Sequence, residues 1–260
     1  MLTLSAAPGA PQPSAYARRP PLVLINGLAE QAESWYANLD AWRHHFDVHQ
    51  PNLLAYGGAA LHRRIDAGQP VDIGYLVGRL HDYLDGFVQA PPYHLAANSL
   101  GGKVAVELAV RYPELVDRLV LLCPSGLSDE ERLPVVEGVR RNDPSALVTS
   151  VFHDPRRADL GLLDYYRKQF GNRRWKTGLL RTVRGTNAHR VRDLLPRVTC
   201  PTLLVVGAED RIVDPGQTIA AARLLPRGRL EVLHGCGHAP QIERAEVVNR
   251  LVSDFLLQSL

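Results

Sequence analysis

Cysteine is scarce in this chain of 260 residues, which has three: Cys123, Cys200 and Cys236. An odd number without metal-ligand spacing argues against a disulfide framework and fits reduced thiols in a cytoplasmic protein. Long apolar runs are missing too. No stretch approaches the roughly 20 apolar residues a membrane-spanning helix needs. The first twenty residues, MLTLSAAPGAPQPSAYARRP, are rich in proline and alanine and lack the apolar core of a secretory signal. Charge of one sign is also lacking: 30 Lys and Arg against 27 Asp and Glu leave a formal +3, too mild to argue for nucleic acid. His44, His45 and His49 have no acidic or cysteine partners at ligand spacing, so neither a metal nor a cofactor is expected. The expected partner is a small molecule, not nucleic acid or membrane, and monomer and homodimer both stay open.

Hydrophobic residues make up 45% of the sequence, enough for one large α/β domain. Residues 1–20 read as a flexible segment or a short edge strand. Apolar runs predict strands at 21–25, 47–50, 93–97, 118–123, 201–207 and 229–233. Helical spacing predicts helices near 34–46, 72–87, 103–110, 216–225 and 242–257. Residues 52–69 contain glycines and no clean period and read as loop. Strands alternating with helices imply a mostly parallel sheet with helices on both faces. No convincing strand occurs from 125 to 196, where helical pieces are separated by Pro134, Pro144, Pro155 and Gly171. An insertion of that length is expected to be an element of its own, a helical cap or lid over a core made of 21–124 and 197–260.

The stretch from Tyr93 to Val110, YHLAANSLGGKVAVELAV, reads as strand, sharp turn and helix around Ser99. That is the context in which a G-x-S-x-G-like pattern carries meaning. The small residues two places away are Ala97 and Gly101, so alanine replaces the first glycine. On this stretch alone Ser99 reads equally as a nucleophile or an ordinary turn serine. Three further loops, each following a strand, bear on the choice: Asn26-Gly27-Leu28, Gly207-Ala208-Glu209-Asp210 and Gly235-Cys236-Gly237-His238. A serine hydroxyl needs a base within hydrogen-bond reach to become a nucleophile. His238 is suited to that role, and Asp210 to fixing the imidazole tautomer. The N–H groups of Leu28 and Leu100 are the candidate donors to a developing oxyanion.

The order serine, acid, histidine, with LINGLAE at 24–30, AANSLGG at 96–102, VVGAEDRIVDP at 205–215 and GCGHAPQIER at 235–244, resembles the α/β-hydrolase superfamily over nearly the whole chain. The resemblance implies that fold with a helical cap at 125–196. It implies Ser99, His238 and Asp210 as nucleophile, base and acid, and Leu28 and Leu100 as oxyanion donors. Gly27, Asn98 and Gly101 are supporting residues. Two departures stand out. Asn26 replaces the usual histidine, with a side-chain hydrogen bond expected to brace the loop in its place. The short N-terminal segment leaves room for a sheet one or two strands short of the family's usual number.

Glu209, Asp214 and Asp129 are rivals to Asp210; Asp214 before Pro215 reads better as a helix cap. Cys236 reads as a small packing residue, Cys123 as a strand-end residue near the site, and His234 as structural. The five cap aromatics Phe152, Tyr165, Tyr166, Phe170 and Trp175 either line a pocket or pack the cap. Between Arg156 and Arg197 twelve Lys or Arg face three acids, which either steer an anionic substrate or form a solvated face. The expected activity is hydrolysis of carboxylic esters through an acyl-enzyme. One alternative is C–C bond hydrolysis of the meta-cleavage-product type, which Asn98 and Pro124-Ser125-Gly126-Leu127 resemble but Ala239-Pro240 do not. Another is a non-catalytic ligand receptor on a hydrolase fold.

Overall fold

A computed structural model describes residues 19–258 except 31, 89, 90 and 159. The expectation for residues 1–20 therefore falls outside the described residues, save Arg19 and Pro20. In chain order the elements are β1 (Pro21–Ile25), α1 (Leu39–Arg43), β2 (Asp47–His49), α2 (Ala59–Asp66), α3 (Ile73–Tyr83), β3 (Tyr93–Asn98), α4 (Leu100–Arg111) and β4 (Val116–Leu122). Four helices follow: α5 (Pro134–Arg141), α6 (Pro144–Val151), α7 (Leu160–Phe170) and α8 (Arg173–Thr186). The chain then returns to the sheet through β5 (Thr202–Gly207), α9 (Pro215–Ala221), β6 (Gly228–Leu233), α10 (Pro240–Glu243) and α11 (Ala245–Leu257).

The strands pair in the order β2-β1-β3-β4-β5-β6, every pair parallel. Among the described residues the sheet starts at β1, steps outward to β2, then crosses back to β3 on the other side. The connections leaving β1 and β3 diverge, which opens a crevice at the carboxyl ends of these two strands. Side chains alternate strictly between faces, as a period of two requires. Val23, Ile25, Leu95, Ala97, Leu119, Leu121, Leu204 and Val206 join one core with α3 and α4. Leu22, Leu24, Ala96, Val120, Leu122, Leu203 and Val205 join a second core with Trp35, Trp42 and α11. Burial on both faces is why the strands read as continuous apolar runs.

Three segments differ from expectation. Residues 52–69 contain α2, whose pattern is short and polar, with only Leu61 and His62 buried. It is held from outside: His62 Nε2 lies 3.0 Å from the Tyr56 carbonyl and 2.9 Å from that of Arg174. The helix expected over 34–46 is split into a 3-10 turn at Ala32–Trp35 and α1. Between them Asn38 is fully buried and donates its amide to the Gln241 carbonyl and to Asn249 Oδ1. The last helix breaks at Arg244 (φ −127°) into α10 and α11.

Candidate active site

Ser99 sits between β3 and α4 with φ 51° and ψ −119°, a conformation L-residues rarely adopt. Its N–H donates to the Leu122 carbonyl and its own carbonyl accepts from Gly102 and Ser125, so the turn is pinned on both sides. Gly101 makes the turn possible: a Cβ there would run into the carbonyl oxygen of Ile25 and come within 2.8 Å of that of Asn26. The small residue is needed because α4 starts against the end of β1, a neighbour the local motif does not include.

The loops after β5 and β6 bring the other two groups to this turn. His238 Nε2 is 2.8 Å from Ser99 Oγ, and His238 Nδ1 is 2.7 Å from Asp210 Oδ2. All three residues are buried. A carboxylate opposite Nδ1 fixes the proton there and leaves Nε2 free to accept the serine proton. Asp210 Oδ1 accepts from the N–H groups of Ile212 and Val213, at 2.8 and 3.2 Å, which fixes the carboxylate's orientation. Burial is the largest influence on the His238 pKa and pulls it down. The charge and hydrogen bond of Asp210, with Glu30 and Glu131 adding to them, outweigh burial and hold it above 6.5.

The loop after β1 is tied down amide by amide. Asn26 Oδ1 accepts from Trp35 Nε1 at 2.6 Å, Gly27 N–H donates to Glu30 Oε2 at 2.9 Å, and Ala29 N–H donates to the Tyr56 hydroxyl at 3.0 Å. Ala29 itself has φ 66°. Leu28 N–H and Leu100 N–H, the latter in the first turn of α4, have no acceptor among the described residues. Both residues line a cavity that also holds Ser99 and His238. Asn98 donates to the carbonyls of Leu122 and His238, binding the end of β3 to the histidine loop.

The sequence matches the alpha/beta hydrolase family over residues 22–251. The chain belongs to the α/β-hydrolase family. Monoacylglycerol lipase abhd6-B of Xenopus laevis is 24% identical over 92% of this chain and 75% of its own length. The uncharacterized hydrolase YugF of Bacillus subtilis is 26% identical over 92% of this chain and 90% of its own. Among solved structures, serine hydrolase CCSP0084 from Cycloclasticus zankles superposes with a TM-score of 0.78 at 21% identity, covering 93% of this chain and 92% of that one.

Within this α/β-hydrolase the rival acids have other work. Asp214 caps α9 through Gln217 N–H, Glu209 accepts from Cys236 N–H, and Asp129 is exposed. Cys123 (φ 43°) accepts from Gly207 N–H at 3.3 Å and lies 3.6 Å from the Gly237 carbonyl. Ligand atoms of Cys123, Asp210 and His238 cluster within 4.8 Å. Burial and the neighbouring Asp210 push the Cys123 thiol well up, while Asp210 and His238 are hydrogen-bonded to each other and His238 to Ser99. Burial likewise pushes Cys200 to about 11 and Cys236 to about 12.

The cavity measures about 890 Å³ counting its open mouth. Val135, Leu147, Val148, Phe152, Leu162 and Tyr166 give the inserted helices an apolar wall over Ser99. Of the five aromatics, Phe152 and Tyr166 line this wall, the Tyr165 ring packs 5.2 Å from that of Tyr166, and Phe170 and Trp175 are buried with rings 6.0 Å apart. None of the twelve basic residues between Arg156 and Arg197 lines it. Sequence reasoning missed Glu30, Lys103 and Glu131, which line the cavity, and gave Ser125, whose Oγ is 3.4 Å from that of Ser99, no role in the site. It also missed Glu243, whose carboxylate accepts from Gly237, His153 and Asp154 N–H groups and so holds the histidine loop. A polar residue in a helix pattern gives no sign of such distant partners. Among the described residues no helix is long and apolar enough to cross a membrane.

Proposed function

We propose that this protein is a serine hydrolase of carboxylic esters. The observation that carries the reading is the continuous run of hydrogen bonds from Ser99 Oγ to His238 to Asp210, opening into a cavity with an apolar wall. Ser99 attacks the ester carbonyl as His238 Nε2 takes its proton, and Asp210 stabilises the imidazolium that results. The oxyanion is met by the Leu28 and Leu100 amides. Collapse expels the alcohol with a proton returned from His238, and water then resolves the acyl-enzyme by the same steps. The helices between β4 and β5 serve as the cap, and their apolar wall takes a small or medium acyl chain.

One feature favours ester over C–C cleavage: Ala239 follows His238, where the meta-cleavage type commonly carries an aromatic residue. Lys103 is paired with Glu131, so of the two cations that line the cavity only the exposed Arg132 is left for a dienoate carboxylate. The test is turnover of p-nitrophenyl esters of rising acyl length by the wild type and by Ser99→Ala. Activity that the substitution abolishes, with a maximum at short to medium chains, supports the reading. A folded wild type inert on every ester, yet active on a ring-fission dienoate, replaces it.

A further inference from the structure

Lys103 lies one turn beyond Ser99 on α4 and is 1% exposed. Its Nζ donates to Glu131 Oε2 and to the Thr186 carbonyl, each at 3.2 Å. Glu131 accepts the Gly126 N–H with its other oxygen. Gly126 has φ +87°, and a Cβ there would sit 3.0 Å from Lys103 Cε, so a glycine suits both the backbone of this turn and the close passage of the lysine. Lys103, Glu131, Ser125 and Thr186 all line the cavity that holds Ser99.

A buried ion pair is a poor device for stability, since apolar replacements are often neutral or better. This one also sits in a cavity whose inserted-helix wall is largely apolar. An ammonium has three protons, and two are used here. Each Glu131 oxygen keeps a spare lone pair. One free donor beside free acceptors, with no net charge, suits a neutral group that accepts and donates at once. The cavity lining carries two carboxylates, Glu30 and Glu131, against two cations, Lys103 and the exposed Arg132, so it offers no net attraction to an anion. We propose that Lys103 and Glu131 form a polar subsite for a free hydroxyl on the alcohol half of the ester, which makes the enzyme selective for hydroxyalkyl over alkyl esters. The inference rests on the ester-hydrolase reading of Ser99 and adds the alcohol preference to it.

The experiment compares butyrate esters that differ by CH3 against OH: propyl with 2-hydroxyethyl, butyl with 3-hydroxypropyl, pentyl with 4-hydroxybutyl. The wild type is expected to favour at least one hydroxyalkyl ester by about 10–100-fold in kcat/KM. In Lys103→Met/Glu131→Leu, which leaves no bare charge behind, that ratio falls towards one. Rates are taken on the high-pH plateau, because Glu131 also bears on the titration of His238. Equal treatment of every pair by the wild type, or a preference that survives in the double variant, overturns the subsite.

A second measurement needs neither turnover nor the double variant. Calorimetric binding of the same esters to Ser99→Ala should favour the hydroxyalkyl partner about tenfold. Equal affinities, or tighter binding of carboxymethyl butyrate than of 2-hydroxyethyl butyrate, overturn the subsite. A wild type that cleaves no ester defeats the hydrolase reading instead, and the binding result still decides the subsite.

Discussion

The two halves of the cavity are built on different principles. The half that comes from the sheet is fixed by backbone. Ser99 is tied to β4 through the Leu122 carbonyl, Asp210 to the end of its own strand β5 through that of Gly207, and His238 to the end of α6 through that of Val151. The half that comes from α5 to α8 faces the cavity with packed apolar side chains, and its polar ties to the core, from Val151 to His238, from His153 and Asp154 to Glu243 and from Thr186 to Lys103, lie at helix ends and loops. Positions set by backbone hydrogen bonds hold reacting atoms to the tolerance that chemistry requires. Positions set by apolar packing can be repacked at modest cost and suit selectivity. The sheet half should therefore fail abruptly on substitution, and the inserted half should change by degrees.

The most abrupt failure is expected at the nucleophile. Ser99→Ala should lower kcat by about a millionfold, and adding His238→Ala should cost little more, because the groups act as one unit. Single-turnover kinetics with a p-nitrophenyl ester checks both statements. Asp210→Asn should cost about ten-thousandfold through the wrong imidazole tautomer. It should also move the pH limb. In the wild type, activity should rise with pH as His238 loses its proton, at a pKa above 6.5. Without the Asp210 charge, burial dominates and the limb shifts to lower pH. Because the folded pKa is raised, the stability this histidine supplies is complete below about 6.5, its ordinary value. It is lost as pH climbs through the folded pKa. Activity and this increment of stability thus run in opposite senses with pH, which melting curves across the limb will show.

Glu30 tests the border between the halves. Burial, its largest influence, raises its pKa despite the Gly27 hydrogen bond. On the proposed mechanism its part is to position the loop that carries Leu28, through the Gly27 N–H. Glu30→Ala should reduce kcat by less than the roughly hundredfold or more that follows loss of a whole oxyanion donor. Glu30→Gln, which keeps an acceptor for Gly27, should restore most of it. Equal loss in both variants would show that the brace is not what matters.

What was legible in the sequence divides along the same line. The strands showed because burial on both faces makes apolar runs, and Ser99, Asp210 and His238 showed because each stands at the end of one. Asn98 and Asn26 showed through their place in those turns. Helix α2, the split before α1 and the break at Arg244 did not, because each is set by a partner far along the chain: His62 with Arg174, Asn38 with Asn249, Glu243 with His153. Lys103 and Glu131 were hidden for the same reason. One looks like an ordinary helix cation and the other like loop charge until the fold brings them together.

On the inserted half the effects should be graded. Phe152→Ala, at a residue 2% exposed that lines the cavity, should cost about 3–5 kcal/mol of stability if the site cannot collapse. It should move the acyl-length optimum towards longer chains while leaving the pH limb in place. An unchanged length profile would mean that the acyl group lies elsewhere.

The smallest effect is expected from the basic exterior. Arg173, Arg174 and Arg181 are exposed on α8, whose opposite side buries Trp175, Leu179 and Thr182. None of the three lines the cavity. Exposed charges act over about a Debye length, roughly 8 Å at physiological ionic strength, and are screened beyond it. The triple change to glutamine should leave kcat/KM on a neutral ester within about twofold, as is usual for surface sites. It should also leave the melting temperature nearly unchanged, and removing two cations from the first turn of the helix mildly favours the dipole. On an anionic ester any loss should fade with added salt, because only the encounter is affected. A loss on the anionic ester that resists salt would place these arginines in contact with substrate, and the apolar wall would then no longer account for the whole of the selectivity on this side.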